Sequence, residues 1–94
     1  MSAFISKQPN GLYCRFSNVV DCLTHINLTY DEYIQLCVNK WGESARADAI
    51  DVLENYTHDF SEVLSRFIPN NMSLNEFRKQ LKEIGYNDIY TWHK

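Results

Sequence analysis

The sequence predicts an α+β fold: an N-terminal β-hairpin packed on three to four α-helices, with a C-terminal tail whose composition suits a third strand. Three observations carry this. Alternating apolar and polar residues flank a Gln8-Pro9-Asn10-Gly11 turn. Thr29, Asp59 and Ser73 each stand three residues before a Glu, and each of these pairs opens an apolar stripe at helical spacing. The chain has 94 residues with only three Gly and two Pro, which fits one small domain spanning 1–94 and excludes a turn-dense sandwich.

Residues 3–17 form the hairpin. A two-residue Asn10-Gly11 turn would pair Ile5 with Phe16 and Lys7 with Cys14. A type I turn with Pro9 at its second position and Gly11 as a left-handed bulge residue pairs Phe4 with Phe16 instead. The fixed φ of Pro9 favours the bulged turn. In that register Phe4, Leu12, Cys14 and Phe16 face the core, and Ile5, Lys7, Tyr13 and Arg15 share the other face. Residues 18–28 show no clear period and read as a linker.

Thr29 and Glu32 form a capping box, the hydroxyl accepting from backbone N–H and the carboxylate reaching back to the cap. Tyr30, Tyr33, Ile34, Cys37, Val38 and Trp41 follow as one helical stripe, which continues in phase through Ala45, Ala49, Val52 and Tyr56. Gly42 costs about 1 kcal/mol in a helix interior, so it dents the helix without obliging it to stop. One bent helix over 30–56 and two helices meeting near Gly42 both fit; the shared phase favours the long or kinked form. Asp59 caps a helix over 60–68, with Phe60, Val63, Leu64, Phe67 and Ile68 as its apolar side, ended by Pro69. Ser73 and Glu76 box the start of a helix over 74–84, with Leu74, Phe77, Leu81 and Ile84 inward and Gly85 as the stop. The tail, 86–94, contains Ile89-Tyr90-Thr91-Trp92, which has strand-like composition. An isolated hairpin is marginal in water, so a third strand from this tail is attractive.

No chemistry-bearing motif is present. Cys14, Cys22, His25 and Cys37 are the ligand types of a Cys₃His zinc site, but no C-x₂₋₄-C knuckle joins them. Small buried hydrophobes is the better reading of Cys14 and Cys37, and neither a metal nor a cofactor is expected. Cys22 and His25 lack the oxyanion loop that a nucleophile–base pair requires, and His58 and His93 are no better supported. The chain is not expected to be an enzyme. With no apolar run of membrane length and three cysteines that cannot all pair, it reads as cytoplasmic.

Charge is more informative. Residues 31–62 hold eight carboxylates against Lys40 and Arg46, a segment of −6 in a chain of −3. Such asymmetry steers a basic partner. Arg78, Lys79 and Lys82 form a basic cluster on the last helix, too small to be a nucleic-acid surface by itself. In a continuous helix, Asp48 would point within about 20° of Trp41, inside the apolar stripe. Either the helix changes phase near Gly42, or this stretch is wetter where a partner approaches. Ile50 would lie opposite Trp41, among Glu43, Arg46, Ala47 and Glu54, as an apolar anchor with a charged rim.

The stretch Ile5 to Cys37, through SKQPNG, YCRFS, VVD and the Asn-x-Thr helix start, followed by PNNMS at 69–73, resembles a group of small proteins from phages and mobile elements of Gram-positive bacteria. What the resemblance implies is class-level: such acidic proteins are often stoichiometric inhibitors of host defence, anti-CRISPR proteins among them. The expectation is therefore a non-catalytic inhibitor, acting in the host cytoplasm through Glu43, Asp48, Ile50, Asp51 and Glu54. Its partner would be a nucleic-acid-binding defence protein, with no direct contact to nucleic acid or membrane, and self-association into a homo-oligomer remains open. An alternative is an oligomeric sponge for a defence nucleotide, with Tyr and Trp stacking on bases and Arg78, Lys79 and Lys82 meeting phosphate. A small helix-turn-helix regulator is the weaker alternative.

Overall fold

The computed structural model describes residues 3–92. Its elements are β1 (Ala3–Lys7), β2 (Tyr13–Ser17), β3 (Cys22–Leu28), α1 (Tyr30–Trp41), α2 (Ala45–Asn55), α3 (Phe60–Arg66) and α4 (Leu74–Glu83). The three strands form one antiparallel sheet in the order β1-β2-β3, and the fold is α+β. None of the described helices is long and apolar enough to cross a membrane.

The hairpin takes the bulged turn. Phe4 pairs with Phe16 and Lys7 with Tyr13. The Gly11 amide donates to the Gln8 carbonyl at 2.9 Å, and Gly11 sits at φ +88°, a conformation that suits glycine. Phe4, Cys14 and Phe16 are buried on one face, whereas Leu12, in the turn, is only half-buried.

Three expectations need correction. First, residues 22–28 are not linker but the third strand. Their period is hidden because β3 is covered on both sides and its pairing with β2 slips twice, between Tyr13 and Arg15 and between Arg15 and Phe16. Asn27, at φ +57°, breaks the alternation further.

Second, the tail adds no strand over its described residues; His93 lies outside them. The outer edge of β1 is taken instead by His58, whose amide donates to the Ile5 carbonyl at 2.8 Å. Residues 86–92 strap α3 to α4. Arg78 Nε donates to the Tyr90 carbonyl (3.0 Å), Tyr90 Oη to the Leu64 carbonyl (2.7 Å) and Trp92 Nε1 to the Phe67 carbonyl (2.9 Å). The aromatic content that suggested a strand serves as core cover.

Third, 30–56 is two helices. Gly42 adopts φ +89° and caps α1, its amide donating to the Val38 carbonyl at 2.8 Å. The chain then reverses, and α2 returns along α1 so that Tyr30, at the start of α1, reaches Glu54, near the end of α2. Ala45, Ala49 and Val52 of the stripe still pack against the core, but its two ends do not: Trp41 is 62% exposed, Tyr56 is also exposed, and Leu53 is buried instead.

The sheet therefore separates two clusters. Phe4, Cys14, Phe16, Cys22 and Leu23 pack against Val63 and Phe67 and against Phe77, Leu81 and Ile84 of the α4 region. On the other face Ile5 packs against Tyr33, Ile34 and Cys37 of α1 and Ala49 and Leu53 of α2. Both capping boxes form: Thr29 Oγ1 accepts from the Glu32 amide and Ser73 Oγ from the Glu76 amide, each at 3.1 Å. Asp59 stands at the N-cap of α3 without a side-chain bond: the Glu62 amide donates to the Asp59 backbone carbonyl at 3.0 Å, and the Glu62 carboxylate is committed to His58 and Arg66 instead of reaching back to the cap. α3 stops at Arg66, before the stretch that Pro69 restricts.

Candidate functional site

The acidic segment becomes the outside of the α1–α2 hairpin. α2 is held by a narrow side, Ala49 and Leu53 fully and Ala45 and Val52 partly, and everything else on it is exposed. Asp48, Asp51 and Glu54 follow at i, i+3 and i+6, a row that drifts about 60° per step around the helix. With the helix broken, Asp48 leaves the apolar side and is exposed, which is the phase change that its position required.

The carboxylates differ in how they are held. Glu54 accepts from Tyr30 Oη at 2.8 Å, which fixes it against α1 and pushes the Tyr30 phenol above its ordinary value. Asp51 accepts from Asn55 Nδ2 at 2.8 Å. Glu43, in the loop before α2, is paired with Arg46 at 3.0 Å, so its charge is locally matched. Among the described residues Asp48 has no partner. The outward negative charge is therefore carried by Asp48, Asp51 and Glu54, with Asp31 beside Tyr30 at the open end of the hairpin.

Ile50 is not the centre of this row. It is 37% exposed and lies on the flank of α2, about 160° around from Asp48 and between Arg46, Ala47 and Glu54. The five residues thus divide into a carboxylate row, a neutralised Glu43 and a separate apolar flank. Sequence reasoning missed Tyr30 as the group that holds Glu54, since its place in the stripe suggested only packing. It also missed Lys40 and Trp41 as surface residues.

The other constellations do not assemble. Cys14 and Cys22 belong to one cluster and Cys37 to the other, across the sheet, and no group of three or more metal-ligand side chains gathers among the described residues. Burial, and then the charge of Asp21, push the Cys22 thiol up, the reverse of an activated nucleophile. Arg78 and Lys82 line a groove of about 490 Å³ with Tyr86 and Tyr90, in which Asp88 also stands; Lys79 is not part of it. α3 and α4 are joined by residues 67–73, longer than the about 3–4-residue turn of a helix-turn-helix. Compared with protein families, curated proteins and solved structures, the chain matches none.

Proposed function

We propose that this chain is a non-catalytic binding protein that presents the outer side of α2 to a basic partner, and that the partner is a nucleic-acid-handling protein of bacterial defence. The resemblance to small phage proteins supplies the class of partner. The observation that carries the reading is the row Asp48–Asp51–Glu54: three exposed carboxylates on a helix that its own fold grips through two small-to-medium side chains. Carboxylates at this spacing span about 9 Å along the helix, enough to occupy several cationic side chains that would otherwise hold phosphates. Association of this kind is fast at low salt and weakens as salt rises.

The test is capture and inhibition of CRISPR effector complexes by the wild-type chain and by the triple variant Asp48→Lys, Asp51→Lys, Glu54→Lys. Wild-type should inhibit in a salt-dependent manner, and the variant should lose at least about tenfold in affinity, or about 1.4 kcal/mol, while keeping its fold. Inhibition that survives the reversal unchanged would overturn the acidic-row mechanism.

A further inference from the structure

Asn10-Gly11 closes the hairpin turn, and the same dipeptide is prone to one spontaneous reaction. With no Cβ to crowd it, a glycine nitrogen can reach the carboxamide carbon of the asparagine before it. In that reaction the Gly11 nitrogen attacks Asn10 Cγ and closes a cyclic imide. The Cγ–Nδ2 bond breaks, and Nδ2 leaves as ammonia with the proton that Gly11 gives up. Water then opens the imide at either carbonyl, leaving aspartate or isoaspartate at position 10. Nothing is oxidised or reduced, water is the only co-reactant, and the exposed turn admits it.

In the folded chain every participant is held elsewhere. The Gly11 amide donates to the Gln8 carbonyl at 2.9 Å, so the attacking nitrogen is committed. The leaving group, Asn10 Nδ2, donates to Asn27 Oδ1 at 3.0 Å. Asn10 Oδ1 accepts from Gln8 Nε2 at 2.8 Å and from the Leu12 amide at 3.1 Å. Gln8, only 3% exposed, is pinned in turn. Its Nε2 also donates to Asn27 Oδ1 at 2.9 Å, and its Oε1 accepts from the Asn27 amide at 2.8 Å. The Asn10 carboxamide is thus fixed through both of its polar atoms, by partners in the turn and in β3.

Asn10 also ties the turn to α4. Its amide donates to the Ile84 carbonyl at 3.2 Å. Gly85 follows at φ +88°, so close that a Cβ there would lie 3.2 Å from Asn10 Cβ. A change at Asn10 is therefore felt where α4 ends.

We propose that Asn10 is a deamidation site gated by the fold: the native turn suppresses imide closure, and local opening of the turn releases it. Loss of ammonia makes the conversion one-way. A carboxylate at position 10 has no N–H for Asn27 Oδ1, so a bond is lost whichever way the Asn27 amide turns. Isoaspartate also routes the backbone through Cβ, against Gly85. The modified chain holds α4 less firmly on the hairpin.

Peptide mass spectrometry tests the gate, because cleavage after Lys7 and Arg15 gives a fragment whose only asparagine is Asn10. During incubation at mildly alkaline pH this fragment should gain the mass difference between amide and acid and split into two isomers. The native chain should convert at least about tenfold more slowly than the chain in urea, since closure waits for opening. Asn27→Gly keeps access to the left-handed backbone and removes Oδ1. It should speed native conversion several-fold and leave the rate in urea unchanged, with hydrogen exchange in α2 showing that the variant is folded. Asn10→Asp, standing in for the product, should speed native-state exchange over 8–12 and 84–86 and leave α2 as it is. Equal conversion in the native and unfolded chains would overturn the gate. So would native conversion that a folded Asn27→Gly leaves unchanged. Exchange around Gly85 that Asn10→Asp does not alter would overturn the coupling to α4.

Discussion

The two faces of the sheet are built to different standards. On the α3/α4 face Cys14, Phe16, Val63, Phe67, Phe77 and Ile84 all have zero exposure, and Phe67 stacks on Phe77 with centroids 3.9 Å apart. On the α1/α2 face no side chain is fully enclosed; the least exposed, Ala49, is at 2%. The first face carries the tail strap as well. The second carries the carboxylate row, Trp41 and Ile50. Stability is concentrated on one side of a three-stranded sheet and presentation of surface on the other, so substitutions on the two sides should have different consequences.

The largest effect should come from the tight face. Phe67→Ala leaves a cavity that packed neighbours cannot fill, and such changes cost about 3–5 kcal/mol. Small domains hold about 5–15 kcal/mol in all, so this variant should be close to unfolding at room temperature. Leu53→Ala, on the looser face, should cost about 2 kcal/mol, at the low end of its class, because α2 can settle toward α1. Urea denaturation of the two variants measures the difference. Equal losses would break the comparison.

Thiols sharpen it next. Cys14 is enclosed on the tight face, where burial pushes its thiol up to about 12, and Cys37 lies between α1 and the sheet on the other. All three cysteines are buried and free, so alkylation must wait for local opening. Mass-spectrometric mapping under native conditions should find Cys37 modified at least about tenfold faster than Cys14, the equivalent of about 1.4 kcal/mol between the two openings. Modification of both at one rate would mean the faces open together, as a single cooperative unit.

What the sequence disclosed follows the same division between local and non-local physics. Pro9 and Gly11 set the hairpin register through their own backbone preferences, and Thr29 and Ser73 set two helix starts through bonds that span three residues. Those were legible. β3 was not, because a strand covered on both faces and slipped in register has no alternation to read. Gly42 was ambiguous, since its cost inside a helix and its fitness for a left-handed cap are both real, and only the return packing of α2 on α1 decides between them. Trp41 was misplaced for the same reason: a stripe is a statement about one helix, and where its last residue lands depends on what the chain does afterwards. Of the site, Asp51 and Glu54 stand on the exposed side as their spacing implied, Asp48 joins them through the break, and Ile50 falls to the flank.

The smallest effect is acid sensitivity, and it too should divide by face. On the presenting side, burial and then Arg15 and Lys40 keep the His25 imidazole below its ordinary 6.5. As pH falls under about 6.5, the unfolded chain takes up a proton that the folded chain resists, so stability declines until the folded imidazole titrates. On the tight side, the hydrogen bond from His58, with the charge and bonds of Arg66, holds the Glu62 carboxylate below its ordinary 4.5. That contribution is complete above about pH 4.5 and is lost as pH falls through the folded value. Thermal midpoints from pH 8 to pH 3 should therefore decline in two steps. His25→Gln should flatten the step beginning near pH 6.5 and leave the lower one; Glu62→Gln should do the reverse. A single step that neither variant changes would show that other groups govern the acid response. Lys40→Gln should shrink the upper step without removing it, because burial precedes the charges of Arg15 and Lys40 among the causes that lower the imidazole.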